Sequence, residues 1–176
     1  IGDVISVDAT CTSLADGSGD DWNSITAWGP TALLPVFQLL GTDYKDKNIN
    51  SLLLDSAENF DLFTKIDFTY QNAVSSVKVG KGVKSEGELI ISGTKGYVYV
   101  PAPWWKTDYF EIRFENQNEN KKYFYQLDGE GIRYELVAFI KSIELNKTGS
   151  YIDINISKEI SSVMEDFDNY KYNNLE

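Results

Sequence analysis

The sequence predicts an α+β domain built on a large, mostly antiparallel sheet with helices packed on one face. Three observations carry this. From about residue 49 to 127 the chain reads as strand-like runs joined by short polar turns, the pattern of antiparallel neighbours. Aromatic residues reach 14%, with 11 Tyr and 9 Phe, and gather in those same runs, where they fit a pleated surface. Helical spacing of apolar residues appears only before this block and after it.

Residues 1–170 are expected to form a single domain, with 171–176 as a tail. A chain of 176 residues with 42% apolar and 24% charged residues buries a real core. It begins at Ile1, without Met and already inside a strand pattern, and so reads as a piece of a longer chain. Leu175-Glu176 reads equally well as a cloning remnant.

The formal charge of −11 disfavours nucleic acid and anionic membrane surfaces, because the basic residues are scattered and only Lys121-Lys122 are adjacent. Histidine is absent, which removes the commonest general base and metal ligand; any chemistry falls to carboxylates, Lys or Tyr. A single cysteine, Cys11, makes neither an intrachain disulfide nor a zinc site, and is expected to be a small buried residue. This usage fits a cytoplasmic protein. The longest apolar run, 32–37, is far short of the ~20 residues that span a bilayer.

In order, Ile5, Val7, Ala9 and Cys11 alternate with Ser6, Asp8 and Thr10, a strand with one covered face. Residues 12–29 read as a loop. Its Asp16-Gly-Ser-Gly-Asp20-Asp21 lacks calcium-loop spacing, since Ala27 stands where the bidentate Glu belongs, so no metal is expected. Trp22 and Trp28 either pin that loop or line a pocket. The run 31–41 follows with helical spacing, Pro35 kinking or delaying it and Gly41 stopping it.

Leu62, Thr64, Ile66, Phe68 and Tyr70 alternate as the clearest strand, and 73–79 supplies its return. Lys78 to Lys84 has the wrong lengths for a phosphate loop. The best specified stretch is EGELIISGTKGYVYVPAPWW, 86–105: a β-hairpin whose Gly93 and Gly96 are expected to supply the turn's backbone angles. A second hairpin follows over 108–127 across a polar turn at 116–120. Ile132, Leu136, Val137, Ile140 and Ile143 define an amphipathic helix expected to cover the sheet, and Ser157 suits the N-cap of a last helix through Val163 and Phe167.

The segment Ser92-Gly-Thr-Lys-Gly96, its aromatic strand and Pro101-Ala-Pro-Trp-Trp105, together with GEGIRYELVAFIKSI at 129–143, resemble the C-terminal domain of the Gfo/Idh/MocA family of nicotinamide-dependent sugar oxidoreductases. The likeness runs over about residues 1–168, and Trp22, Gly29 and Ala32-Leu-Leu34 fit a further, degraded stretch. It implies a substrate-binding and oligomerisation domain, inactive alone, whose NAD or NADP and catalytic Lys belong to an N-terminal Rossmann domain. No Gly-x-Gly-x-x-Gly cradle opens a helix here, so no cofactor is expected on this chain. Where the family commonly carries Asp and then His or Tyr, this chain has Pro35, Phe37 and Leu39, none able to exchange a proton.

By the same resemblance the first loop faces the substrate cleft, making Trp22, Asn23, Trp28 and Thr31 the candidate substrate-binding residues. That reading requires the loop to share the Ile1 end of the sheet; otherwise the four simply anchor it. The alternative function is a non-catalytic module, binding carbohydrate through Trp104, Trp105, Tyr97 and Tyr99 or binding a protein partner. The sheet face left without helices is expected to pair with a second copy.

Overall fold

A computed structural model describes residues 1–14, 23–53, 61–126, 129, 131–145 and 151–173. Trp22, the Asp16–Asp21 segment and the last three residues lie outside them. The α+β expectation holds: eight strands form one sheet in the order β2-β3-β4-β1-β5-β6-β7-β8, with three α-helices.

β1 (Val4–Ser13) is the pivot. It runs parallel to β4 (Val74–Lys81) and antiparallel to β5 (Leu89–Gly93), and β1–β4 is the one parallel pair in this order. β2 (Asp46–Leu53) and β3 (Asp61–Thr69) complete one wing. β6 (Tyr97–Val100), β7 (Tyr109–Arg113) and β8 (Lys121–Phe124) complete the other beside β5, with β5–β6 and β7–β8 as the two expected hairpins. Both hairpins are where the turn residues placed them.

The core lies on one face. Val7, Ala9 and Cys11 of β1, Val77 and Val79 of β4, and Ile66 and Phe68 of β3 are at most 1% exposed beneath α1 (Ser24–Leu40). α1 contributes Ile25, Ala32, Leu33, Val36 and Phe37, and α3 (Ile154–Asn173) adds Val163 and Phe167 from behind α1. Side chains two apart on a strand share a face, so the alternation read at 5–11 and 62–70 places this core directly. Cys11 is buried within it, as expected.

Four local expectations need correcting. α1 begins at Ser24, so Trp28 is helical and both Pro30 and Pro35 lie inside the helix. The missing proline amides forfeit two ladder bonds, yet the packed face of α1 and its doubly capped start outweigh the loss. Gly41 does stop the helix, at φ +79°, with its amide on the Phe37 carbonyl at 3.1 Å.

Second, neither Gly93 nor Gly96 has a positive φ. Close approach explains them instead: a Cβ on Gly96 would meet the Arg113 carbonyl at 2.6 Å, and one on Gly93 would strike the Ile1 carbonyl. Third, the α3 N-cap is Asp153, whose carboxylate accepts the Asn155 amide at 2.8 Å, and Ser157 falls inside the helix.

Fourth, α2 (Ile132–Glu144) forms where its spacing predicts but does not cover the sheet. It has no extensive contact with any strand, and Ile132, Leu136, Phe139 and Ile143 are each more than half exposed. An apolar stripe records that a helix has a face to cover, not what covers it.

The opposite face of the sheet carries no helix among the described residues. Its register places four carboxylates (Asp8, Asp46, Asp67, Glu111) and four cations (Lys65, Lys78, Arg113, Lys122) there, a balanced surface on a chain of charge −11. Over β6–β8 it is aromatic and cationic: the Arg113 guanidinium sits 4.4 Å from the Tyr99 ring centre, and the Lys122 ammonium 3.9 Å from that of Tyr109.

Candidate functional site

The start of α1 is held from three sides. Asn23 is the N-cap, its side chain accepting the Thr26 amide at 3.1 Å. The Ser24 hydroxyl donates to the carbonyls of Asp61 and Leu62 and accepts the Lys81 amide at 2.8 Å. Buried Asp61 accepts the Ile25 amide at 3.1 Å and the Thr64 hydroxyl at 2.6 Å. These partners absorb the amides that every helix leaves unpaired at its first turn.

They also place this helix start beside Ser13 and Lys81, the far end of β1 from Ile1, which pairs with the β5–β6 turn through Lys95. The expected position beside Ile1 is therefore not where Asn23 and Trp28 lie. Trp28 donates its indole N–H to the Ser13 hydroxyl at 3.1 Å, and its ring is 4.9 Å from that of Trp105. Asn23 acts as a cap and Trp28 as an anchor. Thr31, half-buried and one turn beyond Trp28 on α1, lines a groove.

Trp104 and Trp105 complete this end. Beyond the last register pair of β1 and β5, Ala9–Leu89, the Trp104 indole donates to the Thr10 carbonyl at 3.1 Å. Its backbone amide bonds to the Gly87 carbonyl at 3.0 Å. Trp104 thus extends the ladder, and the two half-buried rings pack at the sheet end against each other and Trp28. Burial pushes the neighbouring Cys11 thiol up to about 12, so it is no nucleophile at neutral pH.

The groove has a volume of about 1040 Å³. α1 supplies Pro30, Thr31 and Leu34, α2 supplies Leu136 and Phe139, and Ile160 of α3 closes the floor. Hydroxyls of Thr31, Ser142, Ser157, Tyr134 and Tyr151 fringe these apolar walls, and Glu135 is the one charged residue among the described lining. Sequence reasoning reached Thr31 alone. The other walls come from three helices; of the apolar stripe read on α2 only Leu136 lines the groove, and Ile132, Val137, Ile140 and Ile143 stay exposed outside it.

Elsewhere, Tyr44 donates to Glu159 at 2.8 Å and Lys47 pairs with Asp166, tying α3 to the edge of the sheet. Burial pushes the phenols of Tyr44 and Tyr70 above their usual range. No three metal-ligating side chains converge among the described residues, and no helix there is long and apolar enough to cross a membrane.

No family model and no curated protein matches the chain. Solved structures do. The UDP-N-acetylglucosamine 3-dehydrogenase GnnA from Acidithiobacillus ferrooxidans matches with TM-score 0.76 at 12% identity, over 93% of this chain and 52% of its own. KijD10, a 3-ketoreductase from Actinomadura kijaniata solved with NADP and TDP-benzene, matches with TM-score 0.73 at 11% identity, over 91% and 52%. Biliverdin reductase from Synechocystis sp. PCC 6803, solved with biliverdin and NADP+, gives 0.73 at 12%, over 93% and 54%.

What this likeness establishes is the fold, an α+β open-sheet domain shared with about half of each of these proteins. The chain spans about half the length of these three structures. They include a sugar-nucleotide enzyme and a bile-pigment reductase, so the fold by itself does not select a substrate.

Proposed function

We propose that this chain is the substrate-side and association domain of an NAD(P)-dependent oxidoreductase acting on a sugar or sugar derivative. The nicotinamide cofactor and the proton-transfer groups belong to another domain of the parent protein, and this domain alone is inactive. The observation that carries the reading is a fold shared over nine-tenths of the chain with NADP-binding reductases, of which it spans half. Of the four expected site residues, Thr31 is the one to which we assign substrate contact. Asn23 and Trp28 hold α1 in place, and Trp22 keeps only its expected role. The cytoplasm remains the expected compartment.

Sequence upstream of Ile1 tests this directly. A Gly-x-Gly-x-x-Gly strand–turn–helix followed by Glu-Lys-Pro supports the reading, and any other domain there overturns it.

The balanced open face is the association surface in this proposal. Two chains of charge −11 repel, and a face with equal numbers of both signs lets identical copies approach. Sedimentation at micromolar concentration is expected to show a dimer that Arg113→Glu dissociates; a monomer throughout overturns it. A carbohydrate platform gains no support, because Trp104 and Trp105 are committed to Thr10 and Trp28.

A further inference from the structure

The groove between α1, α2 and α3 has a chemistry that the sugar-nucleotide enzymes of this fold would not lead one to expect. A nucleoside diphosphate carries two phosphates, and protein sites meet phosphate with Arg, Lys or a helix N-terminus. The described lining holds no Lys or Arg, its one charged residue is the carboxylate of Glu135, and the whole chain is at −11. The start of α1 is equally closed to an anion, since Asn23 and Asp61 already occupy the Thr26 and Ile25 amides.

The walls are Pro30, Leu34, Leu136, Phe139 and Ile160, fringed by hydroxyls. A ligand-sized, mostly apolar cleft with a few polar groups at its edge suits a molecule with an apolar body and a hydroxylated end.

We propose that this groove binds an uncharged amphipathic small molecule, of the class of alkyl or aryl glycosides, and rejects nucleoside diphosphates. The assignment rests on the reading above that α1 faces the substrate, and it narrows that substrate. Thr31 and Ser157 receive the hydroxylated end, while Leu34 and Phe139 clasp the apolar body.

The test uses the chain as it is. N-phenyl-1-naphthylamine, a neutral dye that brightens in apolar surroundings, is titrated against the protein and then displaced. One saturable dye site per chain is expected, displaced by octyl glucoside below its micelle threshold and untouched by UDP-N-acetylglucosamine. Leu34→Asp and Phe139→Asp each place a carboxylate in the groove and are expected to weaken dye binding by about tenfold or more. Tyr123→Ser, on β8 and outside both the groove lining and the open face, leaves it unchanged. Phe139 is 62% exposed, so its variant folds even if Leu34→Asp does not.

Dye binding indifferent to Phe139→Asp, no saturable binding, or displacement by the nucleotide sugar overturns the proposal. Failure of the wider reading looks different: the groove binds as described, but the residues upstream of Ile1 encode no nucleotide-binding domain.

Discussion

The carboxylate of Asp61, first residue of β3, holds the backbone amide of Ile25 in the first turn of α1 across 36 residues of sequence. This contact, more than the N-cap, decides where the helix starts and which end of the sheet it begins from. Asp61 is fully buried and also takes the Thr64 hydroxyl, so removing it strands donors that have no water to turn to.

Asp61→Ala is therefore expected to cost about 3 kcal/mol, because buried hydrogen bonds to the Ile25 amide and the Thr64 hydroxyl are lost and their donors left unpaired. Asn23→Ala removes a half-exposed cap and is expected to cost about 1 kcal/mol. Urea unfolding checks the ranking, and equal effects of the two variants would show that Asp61 does not anchor the helix.

Gly96→Ala is expected to cost about 1–3 kcal/mol by overpacking, since the new methyl meets the Arg113 carbonyl at 2.6 Å and the Phe114 ring at 2.8 Å. Gly41→Ala meets nothing within 4 Å but sits at φ +79° and ψ −177°, a region nearly closed to side chains, at a similar cost of about 1–3 kcal/mol. Thermal melts separate steric from conformational origin: a Phe114→Ala background relieves part of the first penalty and none of the second.

Trp104→Ala and Trp105→Ala are expected to destabilise by about 3 kcal/mol each, with Trp104→Phe losing only about 1 kcal/mol for the bond to the Thr10 carbonyl. Near-native stability of both alanine variants, combined with lost affinity for a glycan array, would restore the platform reading.

Alkaline pH is expected to unfold the protein through groups whose folded pKa is raised. The Cys11 thiol, pushed up to about 12 by burial, stays protonated in the folded chain after the unfolded chain has ionised. Its contribution is complete below the ordinary thiol pKa and is lost as pH rises from there toward 12. Tyr44 and Tyr70, raised mainly by burial, add the same trend at higher pH. Cys11→Ala should flatten the stability profile between pH 9 and 11, as followed by urea midpoints; an unchanged slope would contradict it.

Strand identity, both hairpins, the core alternation and the end of α1 at Gly41 were legible because each is a local rule: period two, turn composition and a glycine with positive φ. The start of α1 was hidden, since Pro30 argues against helix locally while the residue that secures it, Asp61, stands far along the chain. For the same reason Thr31 was reached and Leu34, Phe139 and Ile160 were not: nothing in their spacing says that three helices bring them together.

By itself the chain determined an α+β layer, its faces, its acidic surface and its lack of histidine, because composition and periodicity act residue by residue. Only the tertiary structure decided that Trp28 and Asn23 serve the helix, that Gly93 and Gly96 yield to backbone approach, and that α2 lends Leu136 and Phe139 to a groove while most of its apolar stripe stays uncovered. Those outcomes depend on distances between parts remote in sequence, and the energy of burying a face is settled by whatever comes to lie against it.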